Sequence, residues 1–215
     1  MLRRRLPLPE PRCLPWPLKP LQSAQTSLGY DEHGRMVMRI RHSVLAGLTP
    51  KMVAWWFANI GGDMDIDGQR INRYLAWHPH DHIRWELARP GREGGASVGA
   101  RFRIVEAFGR NLEFYIDVTE TVTRLDEAGF TITGVRLGHR VTELKHDFSP
   151  VAGGTLYVST LTVGSAMPVL GPALNRVIHR YIFSEAMGRA WLTHNVEEVG
   201  LLEHIVPRLY PRPTG

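Results

Sequence analysis

A long apolar-periodic segment near the C-terminal end, roughly Pro172 to Pro207, most constrains what this chain can become. Read at 3.6 residues per turn, Ile178, Ile182, Met187, Trp191, Leu201, Leu202 and Ile205 fall on one stripe. That pattern predicts a single long helix with one buried face. His194 sits inside the stripe, and Glu198 follows four residues later, roughly 40° round the helix. Burying an ionised carboxylate without a partner costs on the order of several kcal/mol, so Glu198 requires one. A divalent metal shared with His194 satisfies it, since imidazole nitrogen and carboxylate oxygen are both zinc ligands. A direct His–Glu hydrogen bond, or an arginine from elsewhere, satisfies it too.

The helix needs a surface to cover its stripe, and the preceding chain supplies strands. Arg35 to Ala46 alternates as a strand. Thr49-Pro50 then reads as an N-cap with proline in the first turn, and Met52, Val53, Trp56, Phe57 and Ile60 follow at helical spacing up to Gly61-Gly62. A second short helix is predicted over Asp67 to Trp77. Strands are predicted over Ile83–Leu87, Val98–Phe108, Leu112–Val122, Phe130–Leu137, Val141–Phe148 and Leu156–Val163, joined by short turn-rich connections. Such connections make an antiparallel meander. The expectation is an α+β fold: a sheet of about seven strands, two short helices after the first strand, and a long C-terminal helix on the concave face. A cavity between helix and sheet suits an apolar ligand.

Residues 1–28 carry Pro7, Pro9, Pro11, Pro15, Pro17 and Pro20, too dense for a helix or a central strand. They read as an extended arm packed through Trp16 and its leucines on the domain or on a partner, which leaves a homodimer open. Residues 29–215 read as one domain, without a repeat. The net charge of +5 is built partly from Arg3, Arg4, Arg5, Arg12, Arg208 and Arg212 near the two ends. No basic run is interleaved with aromatics, so no nucleic-acid surface is expected. The single cysteine, Cys13, cannot form an internal disulfide, which fits a reducing, cytoplasmic setting. No segment approaches the ~20 apolar residues of a membrane span, and prolines interrupt any signal-like core near the start.

Three further features carry chemistry. In Trp77-His78-Pro79-His80-Asp81-His82, three histidines at alternate positions share one side if the segment is extended, a weak metal signal beside the reading of a solvated loop. In the strand ending at Phe108, period two puts Phe102, Ile104, Glu106 and Phe108 on one face, so Glu106 points to the core and needs a metal or an arginine. His139 and His146 flank Glu143, and His146 can share a face with Leu144 and Phe148. Two histidines and two glutamates would make a four-ligand nitrogen/oxygen zinc site.

The sequence resembles the diacetylphloroglucinol hydrolase family, whose relatives include phloretin hydrolase. The matching stretches are Leu48 to Phe57, Arg73-Tyr74, Trp77 to His82, Ile104-Val105-Glu106, and His194 with Glu198, Leu201 and Leu202. The resemblance covers roughly residues 40–210. It implies a Bet v 1/START-like helix-grip fold and Zn2+ held by His82, Glu106, His194 and Glu198. His78 is the alternative to His82. It implies hydrolysis of a carbon–carbon bond between an acyl group and a phenolic ring, on an acylphloroglucinol-like or β-diketone substrate. Tyr74 is expected to contact substrate or relay a proton, with His78 and Asp81 as acid/base or supporting groups. Trp85, His139, His146 and Trp191 are the expected pocket residues. The alternatives are a helix-grip protein that binds an aromatic or polyketide ligand without catalysis, and a metal-free polyketide cyclase.

Overall fold

The computed structural model describes residues 4–211; residues 1–3 and 212–215, including Arg3 and Arg212, lie outside them. Among the described residues, eleven strands and four α-helices follow one another, with short 3-10 turns between some of them. The strands are β1 (Gln25–Tyr30), β2 (Met36–Arg41), β3 (Leu45–Ala46), β4 (Asp63–Ile66), β5 (Gln69–Asn72), β6 (His82–Arg89), β7 (Arg101–Ala107), β8 (Tyr115–Asp126), β9 (Gly129–Arg136), β10 (His139–Val151) and β11 (Gly154–Val163). The helices are α1 (Pro50–Ala58), α2 (Arg73–Trp77), α3 (Gly171–Tyr181) and α4 (Glu185–Leu209).

The main sheet is antiparallel and runs β1-β2-β11-β10-β9-β8-β7-β6, with β3 attached to β11. It therefore has nine strands rather than about seven. The additions are β1, which begins inside the proline-rich stretch once the prolines end at Pro20, and the two-residue β3. The meander from β6 to β11 follows the alternation in the sequence. Helix α4 lies against the β1–β3 end of this sheet and against the turn after β7. This is a helix-grip fold. No helix among the described residues is long and apolar enough to cross a membrane.

Two helical expectations change. The C-terminal segment is two helices, not one. The Ser184 hydroxyl accepts from the amide of Met187 at 3.2 Å and starts α4 afresh, while the amides of Ile182 and Phe183 close on the carbonyl of Ile178. Ile182 consequently leaves the stripe and is 69 % exposed, and Phe183 takes the buried place. Met187, Trp191, Leu201, Leu202 and Ile205 are buried as the periodicity required. Each such side chain contributes about 1.5–3 kcal/mol of transfer free energy. Gly188 permits the crossing with β2: a Cβ there would meet Met38 Sδ at 2.9 Å and Met36 Sδ at 3.1 Å.

The second change lies between Asp63 and Asn72. Instead of helix from Asp67, the chain forms the β4–β5 hairpin, and only Arg73–Trp77 is helical. Asp67-Gly68 takes positive φ at both residues (53° and 81°), the two-residue hairpin turn that Asp-Gly favours. Asn72 then caps α2 by accepting from the amide of Leu75. Helix α1 begins as expected, with Thr49 accepting from Met52.

The arm packs on its own domain. Trp16 stacks on His204 of α4 at 5.3 Å, the Arg208 guanidinium also lies over its ring at 4.8 Å, and Lys19 pairs with Glu203 at 2.6 Å. Arg110 donates to the carbonyl of Pro9, and Arg12 N–H to that of Pro79.

Candidate metal centre

Three elements bring four polar side chains to one point. Strands β6 and β7 pair His82 directly opposite Glu106, which sets two neighbouring side chains on one face. Helix α4 adds His194 and Glu198, one turn apart. All four are buried: His82 fully, the others at 8 % exposure or less. His82 Nε2 lies 3.3 Å from Glu106 Oε1 and 3.4 Å from Glu198 Oε2. His194 Nε2 lies 3.6 Å from Glu106 Oε2 and 3.8 Å from Glu198 Oε2. Tetrahedral zinc with bonds of about 2.0–2.1 Å separates its ligand atoms by about 3.3–3.4 Å. The four histidine–carboxylate spacings start at that value and exceed it by a few tenths of an ångström; His82, Glu106 and His194 offer ligand atoms all within 4.8 Å of one another, and Glu198 approaches through the two histidines.

The outer groups fix which atoms face inward. His82 Nδ1 lies 2.6 Å from the carbonyl oxygen of Tyr74, an acceptor only, so Nδ1 carries a proton and Nε2 is the ring nitrogen turned to the cluster. His194 Nδ1 likewise donates to Asp81 Oδ2 at 3.0 Å, leaving Nε2 free. Asp81 is held by the amides of Gly109 and Arg110 at 2.8 and 3.1 Å. Carbonyl–histidine and carboxylate–histidine pairs of this kind hold the ring of a metal-ligating histidine. The Tyr74 hydroxyl donates to Glu106 Oε1, and its ring stacks on His82 at 3.9 Å. Asn195 Nδ2 donates to Glu198 Oε1 at 2.5 Å.

Charge completes the fit. Among the described residues, neither Glu106 nor Glu198 is paired with an arginine or lysine, which removes the arginine alternative. Burial disfavours charge on His82, yet Glu106 and Glu198 outweigh it and raise its pKa to about 9. Burial likewise opposes protonation of His194, and Asp81 with the two glutamates reverses the sign. The same negative potential draws a divalent cation, and two carboxylates with two neutral imidazoles balance its charge. His82 Nε2 is a buried polar atom with no hydrogen bond of its own, as a ligand position requires. These residues fit Zn2+.

The segment from His78 to His82 turns rather than extending: the amide of Asp81 donates to His78 Nδ1, and that of His82 to the carbonyl of His78. His78 is not a member of the four-atom cluster. It stacks on His194 at 4.4 Å and meets Glu197 at 3.0 Å, behind the ligands. Neither His78 nor Asp81 is among the residues lining the cavity; Asp81 hydrogen-bonds His194 and His78 stacks on it.

The cavity opens from this cluster between sheet and helix. Glu106, His194 and Glu198 belong to its wall, together with Tyr74, Trp85, His146 and Trp191 from the sequence reading. Aromatic rings from Phe57, Phe102, Phe108 and Phe130 make much of the rest. Phe102, Ile104, Glu106 and Phe108 all reach it, as period two predicts. His139 does not: it sits exposed at the start of β10, beyond the Leu137-Gly138 turn. Sequence reasoning missed Asn195, and it missed Glu120. The signal for Glu120 was present, because Ile116, Val118 and Val122 alternate with it on β8, the rule that located Glu106. It also missed Ser159, which bridges His42 and His146 at 3.0 Å to each.

No family model and no curated protein matches this chain. Solved structures similar to it include a START superfamily protein from Mycobacterium smegmatis, at 16 % identity and TM-score 0.44, covering 77 % of this chain and 99 % of that one. The KanY protein is similar at 12 % identity and TM-score 0.48, covering 89 % and 99 %. CalU16 from Micromonospora echinospora is similar at 13 % identity and TM-score 0.39, covering 84 % and 99 %.

Proposed function

We propose that the protein is a zinc-dependent hydrolase that cleaves the carbon–carbon bond between an acyl group and a phenolic ring. The observation that carries this reading is the junction of the four-residue cluster with an aromatic-lined cavity: three of the four candidate ligands are also cavity wall. The resemblance to the diacetylphloroglucinol hydrolase family supports the same assignment. His82, Glu106, His194 and Glu198 would hold the ion. When bound, zinc polarises a carbonyl oxygen and lowers the pKa of water to about 7.

The chain's own groups do the rest. In the overall reaction, water oxygen bonds to the acyl carbon and the ring–acyl bond breaks. Its electron pair stays on the ring carbon, spread onto ring oxygens in the keto tautomer, until that carbon takes a proton. A carboxylic acid and the deacylated phenol result. Phe57, Phe102 and Phe130 hold the ring and exclude bulk water. Tyr74 keeps Glu106 turned inward and presents its phenolic oxygen to a ring hydroxyl. Asp81 and the Tyr74 carbonyl hold the two imidazoles in the ligating tautomer.

The cavity wall also suits a second reading, in which a helix-grip protein binds an aromatic or polyketide ligand, or cyclises it, without metal. Incubation with 2,4-diacetylphloroglucinol, with acetate release followed before and after chelation, separates the readings. Release that stops on chelation and returns with zinc supports the hydrolase. Tight binding without release, or turnover that ignores chelation, supports the second reading.

A further inference from the structure

Glu120 is a carboxyl group on the cavity wall, 7 % exposed, with no salt-bridge partner among the described residues, although Arg136 acts on it electrostatically. Its one hydrogen bond is with Thr142, whose hydroxyl donates to Oε1 at 2.5 Å. Oε2 has no protein partner there. Gly134 makes the space: a Cβ at that position would collide with the Thr142 hydroxyl and lie 3.0 Å from Glu120 Oε1. The pair is thus a built polar spot in an otherwise aromatic and aliphatic wall. Both residues line the cavity, so the second carboxyl oxygen remains available to a polar atom of a ligand held there. Register places it away from the metal cluster. Glu106 faces Ile116 and Phe102 faces Glu120 across β7 and β8. The backbone positions of the two glutamates are therefore four residues apart along the strands, about 13 Å at ~3.3 Å per residue, while the Glu106 carboxylate still acts electrostatically on Glu120.

We infer that Glu120 and Thr142 form a second recognition site, which hydrogen-bonds a hydroxyl group at the end of an elongated aromatic ligand remote from the metal cluster. This deepens the function proposed above and rests on it only for the end of the ligand that faces His82 and Glu106. Either state of the carboxyl serves, since a carboxylate accepts from the hydroxyl and a neutral acid, favoured by burial, also donates. A site built for a hydroxyl discriminates against an analogue lacking it, because the protein group is then left unpaired.

The test uses chalcone and 4-hydroxychalcone, which differ only by a hydroxyl at one end, with binding read from quenching of the cavity tryptophans. The wild-type protein should prefer the hydroxylated compound by about tenfold or more. Glu120→Gln should retain part of the preference. Glu120→Leu should lose it, because the carboxyl that chalcone leaves unpaired is gone, with far-ultraviolet circular dichroism showing that this variant is folded. No preference in the wild type, binding of neither compound, or an unchanged preference in Glu120→Leu would overturn the inference. The readout is binding alone, so failure of the hydrolase reading in the acetate assay remains a separate result.

Discussion

His82 Nε2 lies 3.3 Å from Glu106 Oε1, directly across the β6–β7 ladder, and makes no hydrogen bond to it. The two groups converge on a shared point instead of on each other, and His194 and Glu198 reach the same point from α4. Asp81, Tyr74 and Asn195 are arranged behind them so that this convergence persists.

Asp81→Asn tests that outer layer. Asp81 accepts from His194 and from two backbone amides, and an amide side chain cannot reproduce all three with one oxygen. Loss of such a partner typically lowers metal affinity by about 10–100-fold. Competition against a chromophoric chelator should show that loss, with the far-ultraviolet circular dichroism unchanged. Equal zinc affinity in the variant would remove Asp81 from the site.

Phe57 is 1 % exposed and stacks on Phe130 at 4.2 Å. Truncation of a buried phenylalanine costs about 3–5 kcal/mol. Phe57→Ala should fall near the lower end, because one side of the ring already faces the cavity. Urea unfolding measures it, and a loss below about 1 kcal/mol would show that the ring is not part of the core.

His42 and His146 share Ser159 and are buried, and burial holds both pKa values down at about 3. The unfolded chain, with histidine near ~6.5, binds more protons between these limits. Their contribution to stability is therefore complete above pH ~6.5 and is lost as pH falls towards ~3. The urea midpoint should drop between pH 6.5 and 4.5, and drop less in His146→Phe, which keeps the ring stacking and removes the titrating group. An equal slope in the variant would contradict this assignment.

Much of this fold was legible in the chain because its signals are local. The alternation through Phe102 and Glu106, the Thr49-Pro50 start of α1 and the spacing of His194 and Glu198 each depend on neighbours within one turn or one strand. What stayed hidden is either competitive or long-range. Ile182 continues the 3.6 period, yet the Ser184 cap breaks the helix beside it. Asp67-Gly68 is a hairpin turn whose partner strands are too short for a periodic signal. Asp81 is separated from His194 by 113 residues, so only the folded molecule shows that the two are hydrogen-bonded. His139 and His146 look alike in sequence, but strand β10 carries one outside the sheet's covered region and the other into the cavity wall.

The most direct test of the central claim is elemental analysis of the purified protein and of its Glu198→Gln variant. About one zinc per chain in the first, and well below that in the second with the fold intact by circular dichroism, is the predicted result. A protein that holds no divalent metal and takes up none when zinc is supplied would contradict it.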